Sequence, residues 1–360
     1  MVPYWTSKDG RHAIYHGDCL DVLAQCEASS IDAIVTDPPF YKVKNEQWDR
    51  QWENAAKFIE WIGANCEQWQ RVLRANGSLY CFASPKMAAR IECKIGERFN
   101  VLDSITWVKP NPSCPLNDGA GRGGQTNKET LRSYFPRTEE IIFAEHYGAD
   151  NIAKGGAGYG AKCDELRGFV FDPLRAYICG EFERAGMLTT DGKIAANVAC
   201  GFSASSGGMA SRHYFSQSQW CLPTAEHYQA MRSLLNSSNC RKDYLSREYE
   251  DLRREYEDLR RPFSLTANVP YTDVWTFPTV QAYPGKHPCE KPLAMMEHII
   301  NASTRADMLI CDPFLGSAST MVAAVRNGRR SVGIEASREY CDKAARRLES
   351  VTQLSLLEAV

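Results

Sequence analysis

Strand-length apolar runs alternate with helix-period stretches from residue 12 to residue 145, break off, and resume near residue 286. "HAIYHGD" (12–18) reads as a strand, "CLDVLAQC" as a helix and "IDAIVTD" (31–37) as a buried strand. Across 53–75, Phe58, Ile59, Ile62, Cys66, Trp69, Val72 and Leu73 recur at three- and four-residue spacing, which predicts an amphipathic helix ended by Asn76–Gly77. "SLYCF" (78–82), a helix near 86–98 and the strand "LDSITWV" (102–108) continue the pattern. A Gly/Pro/Asn-rich loop (110–127) then leads to the strand "EEIIFAE" (139–145). After the break come a helix (291–303), the strand "MLICD" (308–312), a helix (318–327), the strand "RSVGIE" (330–335) and a helix (337–349). Such alternation calls for a mostly parallel sheet covered on both faces, because parallel neighbours need a crossover long enough to hold a helix. The predicted class is α/β, with the sheet built from 1–149 and 286–350, an inserted, mainly helical region at 150–285, and a tail at 351–360.

Composition sets the outer limits. The 360 residues are 44% hydrophobic and 24% charged, enough for one large core or two moderate ones. No apolar run approaches the roughly 18 residues of a membrane helix, and "MVPYWTSKDGRH" has no apolar segment after a basic start, so neither a membrane span nor a secretory signal is expected. None of the 14 cysteines falls in a CxxC pair, which argues against a metal site and for reduced thiols in a cytoplasm. The net charge of −2 does not by itself suggest a polyanion partner, although a local basic face can bind phosphates while acids elsewhere cancel it.

Two strand ends carry chemistry. "CDPFLGSAST" (311–320) is a strand end, a tight loop of small residues and a helix start, an arrangement that lets main-chain N–H groups approach a ligand. Glu335 ends the next strand, where an acid can accept hydrogen bonds from ribose hydroxyls. Together they point to a nucleoside-containing cofactor. The loop is neither GxGxxG nor GxxxxGK[ST], which argues against NAD and ATP. "TDPPFY" (36–41) leaves its strand through a carboxylate, two prolines and two aromatics left near the surface. In isolation Asp–Pro–Pro reads equally as a turn that stops a strand.

"DPPF" at 37–40 and "DPFLGSAST" at 312–320 resemble the catalytic and S-adenosylmethionine motifs of DNA amino-methyltransferases. "HPCEKPLAMMEHII" (287–300) resembles the element that precedes the cofactor loop there, and the order of the three is that of the beta group. The resemblance covers roughly residues 10–145 and 285–350. It implies a circularly permuted Rossmann-like methyltransferase sheet, mostly parallel with one antiparallel strand, in which "AIYHG" supplies the strand beside the one ending in Glu335. It implies S-adenosyl-L-methionine as cofactor, with Asp18 toward the adenine amino group and Glu335 on the ribose. Asp312, Phe314, Gly316 and Ser317 would surround the methionine end and adenosine, and Lys291 would face the methionine part. Ala318 stands where glycine is commoner. For catalysis it implies that Asp37 and the Pro38 carbonyl accept the two hydrogens of an exocyclic amine, whose lone pair is otherwise delocalised into the ring. Pro38 and Pro39 fix that carbonyl, and Phe40 stacks on a base rotated out of the duplex. Asp rather than Ser at the first position favours adenine N6, with cytosine N4 as the alternative.

The insertion reads as a reader of double-stranded DNA. A helix over 174–185 ends at Gly186, Thr189 or Thr190 caps a second ("KIAANVAC"), and "GMASRHYF" follows a Gly/Ser turn, with Ser211, Arg212 and His213 forward. This pattern fits a helix-turn-helix and equally an ordinary small helical subdomain. Another helix is expected from Pro223–Thr224. "REYEDLR" occurs at 247–253 and again at 254–260, aligning Tyr249, Leu252, Tyr256 and Leu259 on one stripe, a solvated helix face or, more sharply, a homodimer contact. Lys109, Arg122, Lys128, Arg132 and Arg137 lie on or beside the segment 117–140 and are expected to grip the DNA backbone. A DNA-binding regulator with an inert methyltransferase half, and methylation of RNA or of a protein glutamine, are the competing readings. No PD-(D/E)xK nuclease motif stands out, so an orphan enzyme of bacterial or phage origin, methylating without cleavage, is expected.

Overall fold

The computed structural model describes residues 1–43, 45–109, 137–146, 159–216, 220–237, 243–259, 261–265, 270, 272–281 and 283–358. Two compact units emerge: Met1–Asn151 together with Pro262–Val360, and Ile152–Arg261.

The first unit is built on nine strands: β1 (Trp5–Thr6), β2 (His12–His16), β3 (Ile31–Thr36), β4 (Leu73–Ala83), β5 (Asn100–Val108), β6 (Thr138–Glu145), β7 (Val274–Thr276), β8 (Leu309–Asp312) and β9 (Arg330–Glu335). They form one sheet in the order β1-β2-β9-β8-β3-β4-β6-β5-β7. The run from β2 to β4 is parallel throughout, and β5 pairs parallel with β7. The reversed strand is β6, antiparallel to both its neighbours; the two-residue β1 adds a second reversal at the edge. His12–His16 pairs in register with Ser331–Glu335, so the N-terminal strand completes the half-sheet that the C-terminus begins. All six residues of β3 are buried, as expected of a parallel strand covered on both faces.

Period-2 alternation sends successive side chains to opposite faces. One face packs under α1 (Cys19–Ala24), α3 (Ala55–Val72) and α4 (Ala88–Gly96), where Ile34, Leu79 and Ile142 meet Phe58, Ile62, Trp69 and Ile91. Asn54 starts α3 by accepting the Lys57 N–H at 3.0 Å. The other face packs under α9 (Leu293–Ser303) and α10 (Ser319–Arg326), where Val35, Tyr80 and Phe82 meet Met295, Met296 and Ile299. Trp69 and Phe58 are fully enclosed, positions at which truncation to Ala costs about 3–5 kcal/mol. The last helix, α11 (Arg338–Glu358), closes over α10 and Ile14.

Three boundaries differ from the sequence reading. Asn76–Gly77 does not end a helix: α3 stops at Val72, and the pair lies in a bulge where the β3–β4 register jumps from Ile31↔Leu73 to Ala33↔Ser78. The segment read as a tail continues α11 to Glu358, since no Gly or Pro after Ser337 interrupts it. Residues 262–285 fall in the first unit, because three residues of strand, β7, extend the sheet edge beside β5, too short a run for periodicity to register.

In the second unit α5 (Tyr159–Arg184), α6 (Thr190–Ala199), α7 (Ala225–Asn236) and α8 (Tyr249–Leu259) surround a core of Ile178, Phe182, Tyr214, Tyr228, Met231 and Leu252. Thr189 and Thr224 cap α6 and α7 through their hydroxyls. "SRHYF" is a single π-helical turn, Ser211–Phe215, held down by buried Tyr214 and Phe215. Along the repeat, Leu252 is buried and Tyr249 and Tyr256, partly buried, pack against the same core, so that part of the stripe is used within the unit. Among the described residues no helix is long and apolar enough to cross a membrane.

Candidate functional site

An open parallel sheet forms its ligand crevice where adjacent crossovers leave in opposite directions. From β3 the chain passes to β4 on one side; from β8 it passes to β9 on the other. The crevice therefore lies over the carboxyl ends of β8 and β3, which pair directly. Asp312 ends β8, Asp37 follows β3, Glu335 ends β9, and Asp18 follows β2. All four acids line one cavity of about 450 Å³. Pro38, Pro39, Phe40, Lys291, Phe314, Gly316 and Ser317 line it too, so the fold gathers every candidate catalytic and cofactor residue into a single site.

On the α10 side, the small-residue loop is shaped by contacts that only small residues allow. Gly316 has φ +47°, and a Cβ there would sit 3.1 Å from the His287 ring. The Gly316 N–H donates to Glu335 Oε2 at 2.9 Å, and the Ser337 N–H to Oε1 at 2.8 Å, so Glu335 fastens the loop to its own strand end. The Arg347 guanidinium holds the Ser317 carbonyl at 2.7 Å while paired to buried Glu290 at 2.9 Å. Ala318 has φ +63°, a left-handed conformation costing a non-glycine residue about 1 kcal/mol or more, which is the physical reason for glycine at this position in similar loops. Burial pushes the Asp312 carboxyl up to about 7, against hydrogen bonds from Thr320 and the Phe314 N–H. Glu335 is also raised, again by burial. Asp18 is exposed and caps α1, accepting the Leu20 N–H at 2.8 Å.

On the β3 side, Asp37 is raised to about 6 by burial, with Lys291 opposing and Glu139 adding to the rise. Its Oδ2 lies 2.5 Å from Lys291 Nζ, whereas Oδ1 is buried with no hydrogen-bond partner among the described residues. Lys291, expected at the methionine part of the cofactor, lines the cavity with its ammonium on Asp37, 3.5 Å from Glu139 Oε2 and 5.0 Å from the ring centres of Phe40 and Phe82. Burial disfavours its charge, yet Asp37 and Glu139 outweigh burial and hold its pKa above the usual lysine value. Glu139 is held below the usual range because Lys291 and Lys109 together overcome its burial. Phe40 is not exposed: at 8% accessibility it is a wall of the cavity, and Tyr41 stacks on Phe58. Beyond the motif, Tyr41 and Lys42 both adopt left-handed φ near 60°, pinned by the Lys42 N–H on the Asp49 carbonyl at 2.7 Å and the Val43 N–H on Asp49 Oδ2 at 2.6 Å.

Glu139 escaped the sequence reading, which took "EEIIFAE" only as a strand. Two acids opening an apolar run were the available signal. Because β6 runs antiparallel, its first residues lie at the rim where the parallel strands end: Glu139 pairs with Trp107 and Glu140 with Ala83. Lys109, expected on DNA, has its ammonium bound to Glu139, and the Arg137 guanidinium lies 3.5 Å from the Lys109 carbonyl. Arg122, Lys128 and Arg132 lie outside the described residues. In the second unit Arg212 is exposed, His213 is half-buried, and half-buried Ser211 accepts from the Asn197 amide at 3.1 Å.

Known proteins resemble this chain in sequence and in fold. The chain is 24% identical to the type II methyltransferase M2.MboI of Moraxella bovis, over 98% of this chain and 93% of that one. It is also 24% identical to the DNA adenine methyltransferase YhdJ of Escherichia coli K12, over 96% and 85%. Among solved structures the cytosine-N4-specific PvuII DNA methyltransferase is similar in fold, with a TM-score of 0.51 and 14% identity over 98% of this chain and 93% of that one. The family described as DNA methylase, of the N6/N4 type, matches residues 31–346, most of the chain. The protein therefore belongs to the DNA methylase family, S-adenosylmethionine-dependent methyltransferases of amino groups on DNA bases.

Proposed function

We propose that the protein methylates the exocyclic N6 of an adenine turned out of duplex DNA. The observation that carries this reading is Asp37 Oδ1: a buried acceptor on the wall of the cavity, without a hydrogen-bond partner among the described residues, while its sister oxygen is held by Lys291. A buried acceptor left unmade costs about 1–3 kcal/mol, so the site is poised for a donor. An amino group supplies one N–H to Oδ1, and the Pro38 carbonyl, its φ fixed by the ring, takes the second. Phe40 forms the wall against which the base lies.

The residues suit S-adenosylmethionine. Asp312 and Glu335 face the same cavity and favour a cation there, and Gly316 and Ser317 bring the main chain of the loop to its wall. Asp18, Asp312, Phe314, Gly316, Ser317 and Glu335 would hold it, with Glu335 and Asp18 at the nucleoside end. When bound, it supplies an electrophilic methyl group on a positively charged sulfur. Asp at the first motif position, and the similarity to an adenine methyltransferase over nearly the whole chain, favour adenine over cytosine. Exposed Arg212, with Ser211 and His213, and Arg137 beside the segment 110–136 would contact the duplex. Mass spectrometry of nucleosides from DNA of cells expressing the protein tests the reading. N6-methyladenine that vanishes with Asp37→Ala supports it; N4-methylcytosine would reassign the base, and activity retained by Asp37→Ala would overturn the mechanism.

A further inference from the structure

The geometry points to Glu139 as a positioning residue for methyl transfer: it anchors the Lys291 ammonium so that Lys291 occupies one oxygen of Asp37 and leaves the other for the amine. This deepens the reading above and rests on Asp37 being the amine acceptor.

Four charges alternate in sign from β5 through β6 to β3. Lys109 holds Glu139 Oε1, Glu139 Oε2 lies 3.5 Å from Lys291 Nζ as an ion pair without a hydrogen bond, and Lys291 lies 2.5 Å from Asp37 Oδ2. A lysine side chain has four rotatable carbon bonds and a freely turning ammonium. Untethered, Lys291 could cover either oxygen of Asp37 or swing into the cavity, and an amine would then meet an occupied acceptor. Glu139 removes that freedom from behind, and the Phe40 and Phe82 rings, each 5.0 Å from Nζ, confine the ammonium from the sides. Glu139 does not itself line the cavity, so its effect on the reacting amine passes through Lys291. The alternation leaves the cluster neutral overall, which is what allows Lys291, at 6% accessibility, to stay charged.

The charge of Glu139 gives a readout that packing would not. Lys291 and Lys109 favour the ionised form of Asp37, while Glu139 disfavours it. Among the described residues, Asp312 across the crevice and buried Cys81 also couple to Asp37. Glu139→Gln preserves size and removes the charge, so Asp37 should ionise at lower pH although it is held less well.

Methyl transfer from tritiated S-adenosylmethionine to amplified, unmethylated bacterial genomic DNA would be followed from pH 5 to 9. For E139Q the turnover number should fall about 10- to 100-fold, as for a mispositioned catalytic group. KM for S-adenosylmethionine should stay within about two-fold, and the acid limb should move to lower pH. An acid limb left at its wild-type position, or a loss confined to KM, overturns the inference. Independently of turnover, NMR of protein carrying 15N in its lysine side chains should show a protected Lys291 ammonium, assigned by its absence in K291M, that exchanges faster in E139Q. An unchanged signal overturns the inference as well. Activity retained by D37A would sink the reading above, whereas an inactive D37A beside a wild-type-like E139Q would sink this inference alone.

Discussion

Replacing Lys291 by methionine keeps an unbranched side chain of similar length and deletes the ammonium. In the native fold that ammonium is 2.5 Å from Asp37 Oδ2 and 3.5 Å from Glu139 Oε2, and the residue is 6% accessible. Its loss strands two half-buried carboxylates, with Lys109 left on Glu139 among the described residues. Removing one partner of a buried pair costs about 3–5 kcal/mol, because the other charge is left uncompensated. The cost must depend on pH. Asp37 already stands at about 6, raised by burial against the pull of Lys291, and without Lys291 it rises further. A carboxyl whose folded pKa exceeds its unfolded value of about 4 destabilises the fold progressively as pH climbs from the unfolded to the folded pKa. Glu139, now held low by two lysines, contributes stability above its unfolded pKa and loses much of that contribution in the variant. Below its raised pKa the Asp37 carboxyl of the variant carries a proton, and the thioether packs between Phe40 and Phe82. Urea unfolding of K291M and wild type at pH 8 should therefore differ by about 3–5 kcal/mol, and the gap at pH 5 should be less than half of that. A gap equal at both pH values would refute the reasoning and reduce Lys291 to a packing residue.

Asp312, raised to about 7 by burial, is partly protonated at neutral pH in the free protein, and a bound cation favours its ionised form. Calorimetric affinity for S-adenosylmethionine should accordingly rise between about pH 6 and 8, and Asp312→Asn should flatten that slope; wild-type affinity constant over the range would contradict the assignment. A Cβ at Gly333 would sit 2.6 Å from Leu315 Cδ1 and 2.7 Å from Met321 Sδ, both in buried side chains. G333A should thus lower stability by about 1–3 kcal/mol and weaken cofactor binding by displacing the loop, and an unchanged melting temperature would show that Leu315 yields freely. In the second unit, fully buried Asn197 accepts the Ala210 N–H at 2.7 Å and donates to the Ser205 carbonyl at 2.7 Å. N197A leaves the buried Ala210 N–H unsatisfied, which should cost about 1–3 kcal/mol and open 203–211 to limited proteolysis; equal cleavage rates would count against this role.

Much of the site was legible because it is built from strand ends. Asp37, Asp312 and Glu335 each close an apolar run of strand length, and a run of that kind delivers its last residue to the sheet's rim whatever the neighbouring strands are. "CDPFLGSAST" likewise carries its own geometry, small residues before a helix start. Local signals misled where tertiary packing overrode them. Asn76–Gly77 had the composition of a helix stop and became a bulge, because β4 needed extra residues to restore register with β3. The aromatics of "TDPPFY" looked exposed, yet Phe40 is buried against the Lys291 ammonium and Tyr41 on Phe58. The "REYEDLR" stripe read as a solvated face or a dimer contact, and it packs Leu252, Tyr249 and Tyr256 against its own unit's core.

By itself the sequence determined the strands, the order of the two motifs and the residue types at the strand ends, all of which depend on periodicity and turn chemistry within a few residues. Only the tertiary structure decided which ends meet. The Asp37–Lys291 contact spans 254 positions along the chain, and Glu139 reaches Lys291 only because β6 runs against its neighbours and presents its first residues at the rim where theirs end. Periodicity records which face a residue takes and says nothing of which distant charge stands opposite; that is settled by strand order and direction.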